Sequence, residues 1–209
     1  MASAAAAPLR YLALGDSYTI GEGVAADERW PAQLARRLRA GGVAVADPEV
    51  VARTGWTTDE LSAAMDAAAL APPYDFVTLL IGVNNQYRGR ALENYRAEFA
   101  ALLARALALA GDRRERVVVV SIPDWGVTRF ARAEGRDAAA IAAEIDAFNA
   151  AARAIAAGED IAFVDVTAAS REAGDMEAML VGDGLHPSAA QYAAWTDEIV
   201  AVARERLKR

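Results

Sequence analysis

The chain has 209 residues, of which 24% are charged and 55% hydrophobic, with a formal net charge of −7. That length suits one domain with a sizeable core, taken as residues 1–209 with 1–8 as a flexible tail, and the acidic balance argues against general affinity for nucleic acid or anionic membranes. Cysteine is absent, which excludes disulfides, thiolate metal sites and a cysteine nucleophile, and no apolar run is long enough to insert stably in a membrane. The opening MASAAAAPLRYLAL lacks the basic and apolar regions of a signal peptide, so cytoplasmic is the default location, although a mature secreted protein could begin the same way. Nothing in the composition sets the oligomeric state.

In chain order, RYLALGDS reads as a strand entering a loop. Pro31 suits the first turn of a helix through PAQLARRLRAGG, which Gly41 and Gly42 end. PEVVARTG is a second, shorter strand. Thr57 or Thr58 caps a helix carrying Leu61, Met65 and Ala68, with Glu60 near the capping-box position. DFVTLLIGVNN has the nearly continuous apolar character of a buried strand. Tyr95, Phe99, Leu102, Leu103 and Ala106 then share one helix face. After the charged turn GDRRE, RVVVVSIPD is another central strand. Ile141, Ile145, Phe148, Ala152 and Ile155 mark a helix that Gly158 ends, and DIAFVDV is the last strand. Tyr192, Trp195, Ile199 and Val202 mark the final helix, with Pro187 near its first turn. Strict βα alternation implies an α/β fold, a parallel five-stranded sheet with helices on both faces. Residues 124–137 and 168–186 are the least regular, and are candidate loops around a pocket.

Such sheets bind ligands beyond the carboxyl ends of their strands. Gly15-Asp16-Ser17-Tyr18-Thr19 follows the first strand, Arg53-Thr54-Gly55-Trp56 the second, Gly82-Val83-Asn84-Asn85 the third and Pro123-Asp124-Trp125-Gly126 the fourth, while the fifth leads to Asp183 and His186. The arrangement would bring a serine, a histidine and an aspartate to one edge. Serine attacks carbonyl carbon only when a base takes its proton, and His186 is the only imidazole in the chain. Asp183, three residues earlier, is the nearest group to orient that imidazole, with a helical turn as the means of bringing the two together. Backbone N–H groups at Ser17 and Gly55 and the Asn84 amide are candidate donors to a developing oxyanion. Tyr18, Trp56, Tyr87, Trp125 and Leu185 lie beside these motifs and are candidate substrate-binding residues. Arg53 and Arg88 read as solvated surface.

GDSYTIGEG, ARTGWTTDEL, IGVNN and DGLHP, in that order and spanning nearly the whole chain, resemble the SGNH hydrolases, also called GDSL esterases or lipases. The resemblance implies a three-layer α/β/α, flavodoxin-like fold and cofactor-independent hydrolysis of carboxylic esters. It makes Ser17 the nucleophile, His186 the general base and Asp183 its orienting partner, and it puts Ser17, Gly55 and Asn84 in the oxyanion hole. Tyr18 stands where the family name has leucine. Asn85 stands where the family's GxND motif has aspartate, which puts the oxyanion geometry in question. The expectation is a serine esterase acting on small or medium esters or thioesters. An acyltransferase using the same acyl-enzyme, or a non-catalytic binding module on the same fold, is the alternative. No Gly-Lys-Ser/Thr or GxGxxG signature supports a nucleotide cofactor, and one histidine without cysteine argues against a catalytic zinc.

Overall fold

A computed structural model describes residues 7–208; most of the tail expected at 1–8 lies outside them. Five strands among the described residues form one parallel sheet in the order β2-β1-β3-β4-β5. They are β1 (Tyr11–Gly15), β2 (Glu49–Ala52), β3 (Phe76–Leu80), β4 (Val117–Val120) and β5 (Ala162–Val164). The central register aligns Leu12 with Val77 and Leu79 with Val119. Strands β1, β3 and β4 are buried along their whole length, which is why YLALG, FVTLL and VVVV are apolar without alternation. The edge strand β2 carries Glu49 and stays partly exposed.

The long helices are α2 (Trp30–Ala40), α3 (Thr58–Ala67), α5 (Leu92–Leu109), α7 (Ala138–Gly158) and α9 (Ala189–Leu207). Helix α2 packs against α9, while α3 and α7 pack against α5, so the helices divide between two layers around the sheet. Trp30, Trp195, Tyr192 and Leu34 fill one layer, and Tyr95, Phe99 and Ile145 the other. Among the described residues no helix is long and apolar enough to cross a membrane.

The structure adds short helices that periodicity does not reveal: α1 (Ser17–Ile20), α4 (Val83–Tyr87), α6 (Arg129–Ala133) and α8 (Thr167–Ala173). Each is seven residues or fewer, too short to present a repeating apolar face. Three details also shift. Ala156 and Ala203 are fully buried where Ile155 and Val202 are only half-buried, because the buried stripe drifts around these long helices. Ala68 stands just past α3 as its C-cap. Ser188 is the N-cap of α9, so Pro187 precedes the cap and makes an isolated antiparallel bridge to Leu180.

Candidate active site

Strand β1 ends at Gly15, where a side chain cannot fit: a Cβ would stand 2.5 Å from the Leu80 carbonyl oxygen. Asp16 then caps α1, its Oδ1 accepting the Tyr18 N–H at 3.0 Å. Ser17, the next residue, is buried at the start of that turn. Burial pushes the Asp16 carboxyl up to about 7 against the opposing effect of its backbone hydrogen bonds, and its Oδ2 has no hydrogen-bond partner.

His186 comes from the loop between α8 and α9. Its Nδ1 lies 2.6 Å from Asp183 Oδ2, while Asp183 Oδ1 accepts the Leu185 N–H at 2.8 Å and the His186 N–H at 3.0 Å. The connection is not a helical turn. Gly184, at φ +73°, closes a tight loop in the left-handed region, and the Val181 N–H bonds back to the His186 carbonyl at 2.9 Å. Burial opposes the charge on Asp183, but the hydrogen bonds from the His186 ring and the two N–H groups outweigh it and hold the carboxyl below its ordinary value. An ionised Asp183 accepts hydrogen bonds only, so it fixes the Nδ1–H tautomer and leaves Nε2 as the basic nitrogen.

Asn84 lies in α4, whose N-cap is Gly82. Gly82 has φ +132°, and a Cβ there would meet the Tyr95 ring at 2.6 Å. The Asn84 amide gives one hydrogen to the Trp56 carbonyl at 2.9 Å, leaving the second N–H to another acceptor. Asn85, fully buried, accepts the Thr58 N–H at 3.1 Å through Oδ1 and donates to Thr58 Oγ1 at 2.6 Å through Nδ2. The Thr58 hydroxyl in turn donates to Glu98. The amide at 85 thus ties α4 to the start of α3, and its second bond uses a donor that a carboxylate lacks. Gly55, at φ +86°, is braced by Arg88, which donates to its carbonyl at 2.6 Å and pairs with Glu60 at 3.3 Å. Arg88 therefore has a supporting role instead of lying free at the surface.

Ser17, Gly55, Asn84 and His186 line one cavity of about 190 Å³. Tyr18, Tyr87, Trp125 and Leu185 form its walls together with Val83, Thr54 and Phe130. Trp56 does not line it; its carbonyl, and not its ring, serves the site. Trp125 is fixed by its indole N–H, which donates to Gln86 Oε1 at 2.8 Å, while Gln86 donates to Glu144 at 2.6 Å. Tyr18 packs against His186 with ring centroids 5.6 Å apart. Farther back, Asn149 pairs with both the N–H and the carbonyl of Ile122, each at 2.9 Å, and so fixes the exit from β4 towards Trp125. Sequence reasoning missed Phe130, Val83, Gln86 and Asn149. The signals among them were the irregular stretch around Phe130 and the strand-end position of Val83. No group of three or more His, Asp or Glu side chains among the described residues could hold a metal ion.

The sheet order, the two helical layers and the clustering of motifs at the carboxyl edge define the α/β fold of the SGNH hydrolases. The GDSL-like lipase/acylhydrolase family model matches residues 13–194, and the chain belongs to that family. Among solved structures, it resembles TesA (TM-score 0.72, 22% identity, 94% of this chain and 99% of that one). It also resembles a lipase/acylhydrolase from Enterococcus faecalis (TM-score 0.73, 21% identity, 95% and 97% covered). A third likeness is to the psychrotrophic esterase EstA from Pseudoalteromonas sp., in a structure inhibited by monoethylphosphonate (TM-score 0.72, 17% identity, 96% and 99% covered). No match is found among curated protein sequences.

Proposed function

We propose that the chain is a single-domain, cofactor-independent serine esterase acting on small or medium carboxylic esters, thioesters included. The observation that carries this reading is the shared cavity: buried Ser17 and an Asp183-held His186 face the same largely apolar space. In the proposed cycle Ser17 Oγ attacks the ester carbonyl carbon as its proton passes to His186 Nε2. The carbonyl oxygen becomes an oxyanion, stabilised by the N–H groups of Ser17 and Gly55 and the spare N–H of Asn84. The bond to the alcohol oxygen then breaks, and Nε2 returns its proton to the departing alcohol, leaving an acyl-enzyme. Water, deprotonated by His186, attacks that acyl group; the bond to Ser17 Oγ breaks, Nε2 returns its proton to Oγ, and the acid and the free serine are released. Asp183 stabilises the imidazolium formed at each step without taking a proton itself.

The cavity accommodates a modest acyl chain between Trp125, Phe130 and Leu185. The test is hydrolysis of p-nitrophenyl esters from acetate to long acyl chains, by wild type, Ser17→Ala and His186→Ala. Wild-type turnover should fall off with long chains, and each variant should lose roughly 10⁴-fold or more in kcat/KM. Near-normal turnover by both folded variants would overturn the assignment.

A further inference from the structure

Arg136 stands outside the proposed reaction cycle. It lies in the connection between α6 and α7, half-buried, and borders the cavity through two of its lining rings without lining it itself. Its guanidinium carbon is 4.8 Å from the centroid of the Trp125 ring and 5.3 Å from that of Tyr87, and both rings line the space shared by Ser17 and His186. The two rings are inclined at 66° to each other, so the planar guanidinium can lie flat on at most one of them, and the ring faces do not take up all of its N–H donors. The side chain makes one long hydrogen bond, from Nη1 to the Tyr87 carbonyl at 3.4 Å. Among the described residues no carboxylate pairs with it. Of the arginines around it, Arg88 pairs with Glu60, Arg132 with Asp175, and Arg171 with Asp124 and Asp146, while Arg129 reaches the Val181 carbonyl at 3.4 Å. Even the adjacent Asp137 is turned away, because its Oδ1 caps α7 by accepting the N–H groups of Ala139 and Ala140.

A cation held in place by two aromatic rings, with donors free and no internal counter-ion, is preorganised for an anion arriving with the substrate. We propose that Arg136 is a specificity residue that reads a carboxylate carried by the ester, so that the site prefers acidic esters over neutral ones of the same size. The inference rests on the esterase reading given above. A planar carboxylate suits the guanidinium fork, which accounts for arginine rather than lysine at this position.

The experiment uses two matched pairs of esters. In one pair the charge is on the acyl side: p-nitrophenyl hemiglutarate against p-nitrophenyl valerate. In the other it is on the alcohol side: 4-acetoxybenzoate against methyl 4-acetoxybenzoate. The readout is the ratio of kcat/KM for the charged over the neutral member, in wild type, Arg136→Gln and Arg136→Lys. In one pair the ratio should fall about tenfold in Arg136→Gln and less in Arg136→Lys, the size expected for a hydrogen-bonded charge contact. Added salt should shrink the wild-type preference. The pair that responds identifies which side of the ester carries the anion. Ratios unchanged in both pairs would overturn the proposal, even if both members lost activity in step, since that outcome makes Arg136 a wall support only. Failure of wild type on the neutral esters as well would instead remove the esterase reading, and this inference with it.

Discussion

Asp183 and His186 depend on each other. The carboxylate makes three hydrogen bonds within its own loop, two to backbone N–H groups and one to the ring. The imidazole is therefore oriented by the same turn that delivers it. Asn84 has a comparable economy, with one amide hydrogen anchored on the Trp56 carbonyl and one free. If the free hydrogen meets the oxyanion, Asn84→Ala should lower kcat by about 10²–10³ with little change in KM. Steady-state kinetics on a short-chain p-nitrophenyl ester would show it; a change confined to KM would place Asn84 in ground-state binding. These residues were legible in the sequence because motif order puts Asn84 at a strand end and Asp183 and His186 together in one short motif after the last strand. Arg88 and Trp56 were not, since their contributions run through a bond to one backbone carbonyl and a bond from an amide, and no sequence pattern encodes either.

At the scale of elements, the site depends on how α4 is locked to α3. Asn85 and Thr58 exchange two hydrogen bonds, and the Thr58 hydroxyl spends its single proton on Glu98. In Asn85→Asp the carboxylate would still accept the Thr58 N–H but would face a hydroxyl with no second proton to give. That substitution should destabilise the protein by about 1–3 kcal/mol, the cost of leaving a buried acceptor unpaired. Adding Glu98→Gln, which lessens the competition for the hydroxyl proton, should recover part of the loss. Urea unfolding of the two single variants and the double variant gives the coupling directly. Gly82→Ala tests the entry to α4. Its φ of +132° and the Tyr95 ring 2.6 Å from a new Cβ both oppose a side chain. The variant should lose about 2 kcal/mol or more and should also lose kcat, because Asn84 moves with the turn. An unchanged unfolding midpoint would show that the turn relaxes freely. The long helices and strands were readable from period 3.6 and from unbroken apolar runs. The one-turn elements α1 and α4, which carry Ser17 and Asn84, were not, because a single turn has no period.

Across the whole molecule, the same burial that positions Ser17 sets a pH dependence. Asp16 has its carboxyl raised from 3.8 to about 7, chiefly by burial. A group raised in the folded state favours folding most below its unfolded pKa, and that contribution is lost as pH rises through the folded value. Between about pH 4 and 7 the folded chain holds a proton the unfolded chain has released, so stability should decline with rising pH by at most about 1.4 kcal/mol per unit from this group. Asp183, held below its ordinary value, acts in the opposite sense, its contribution being lost as pH falls through that lowered value. The difference between wild type and Asp16→Asn isolates the first effect, because asparagine keeps an oxygen for the Tyr18 N–H. Wild-type stability minus that of the variant should fall from pH 4 to 7; a flat difference would mean that Asp16 ionises as an ordinary carboxyl. The sequence by itself determined the βα alternation, the parallel sheet and the five strand-end motifs, since apolar periodicity and residue order are local properties carried along the chain. Only the tertiary structure decided that Trp56 stays out of the cavity lining, that Phe130 joins it, that Asn85 binds Thr58, and that Arg136 lies over Tyr87 and Trp125. The Asn85–Thr58 and Arg136–Tyr87 contacts join residues 27 and 49 positions apart, and they exist only once the crossovers have set the strand ends side by side.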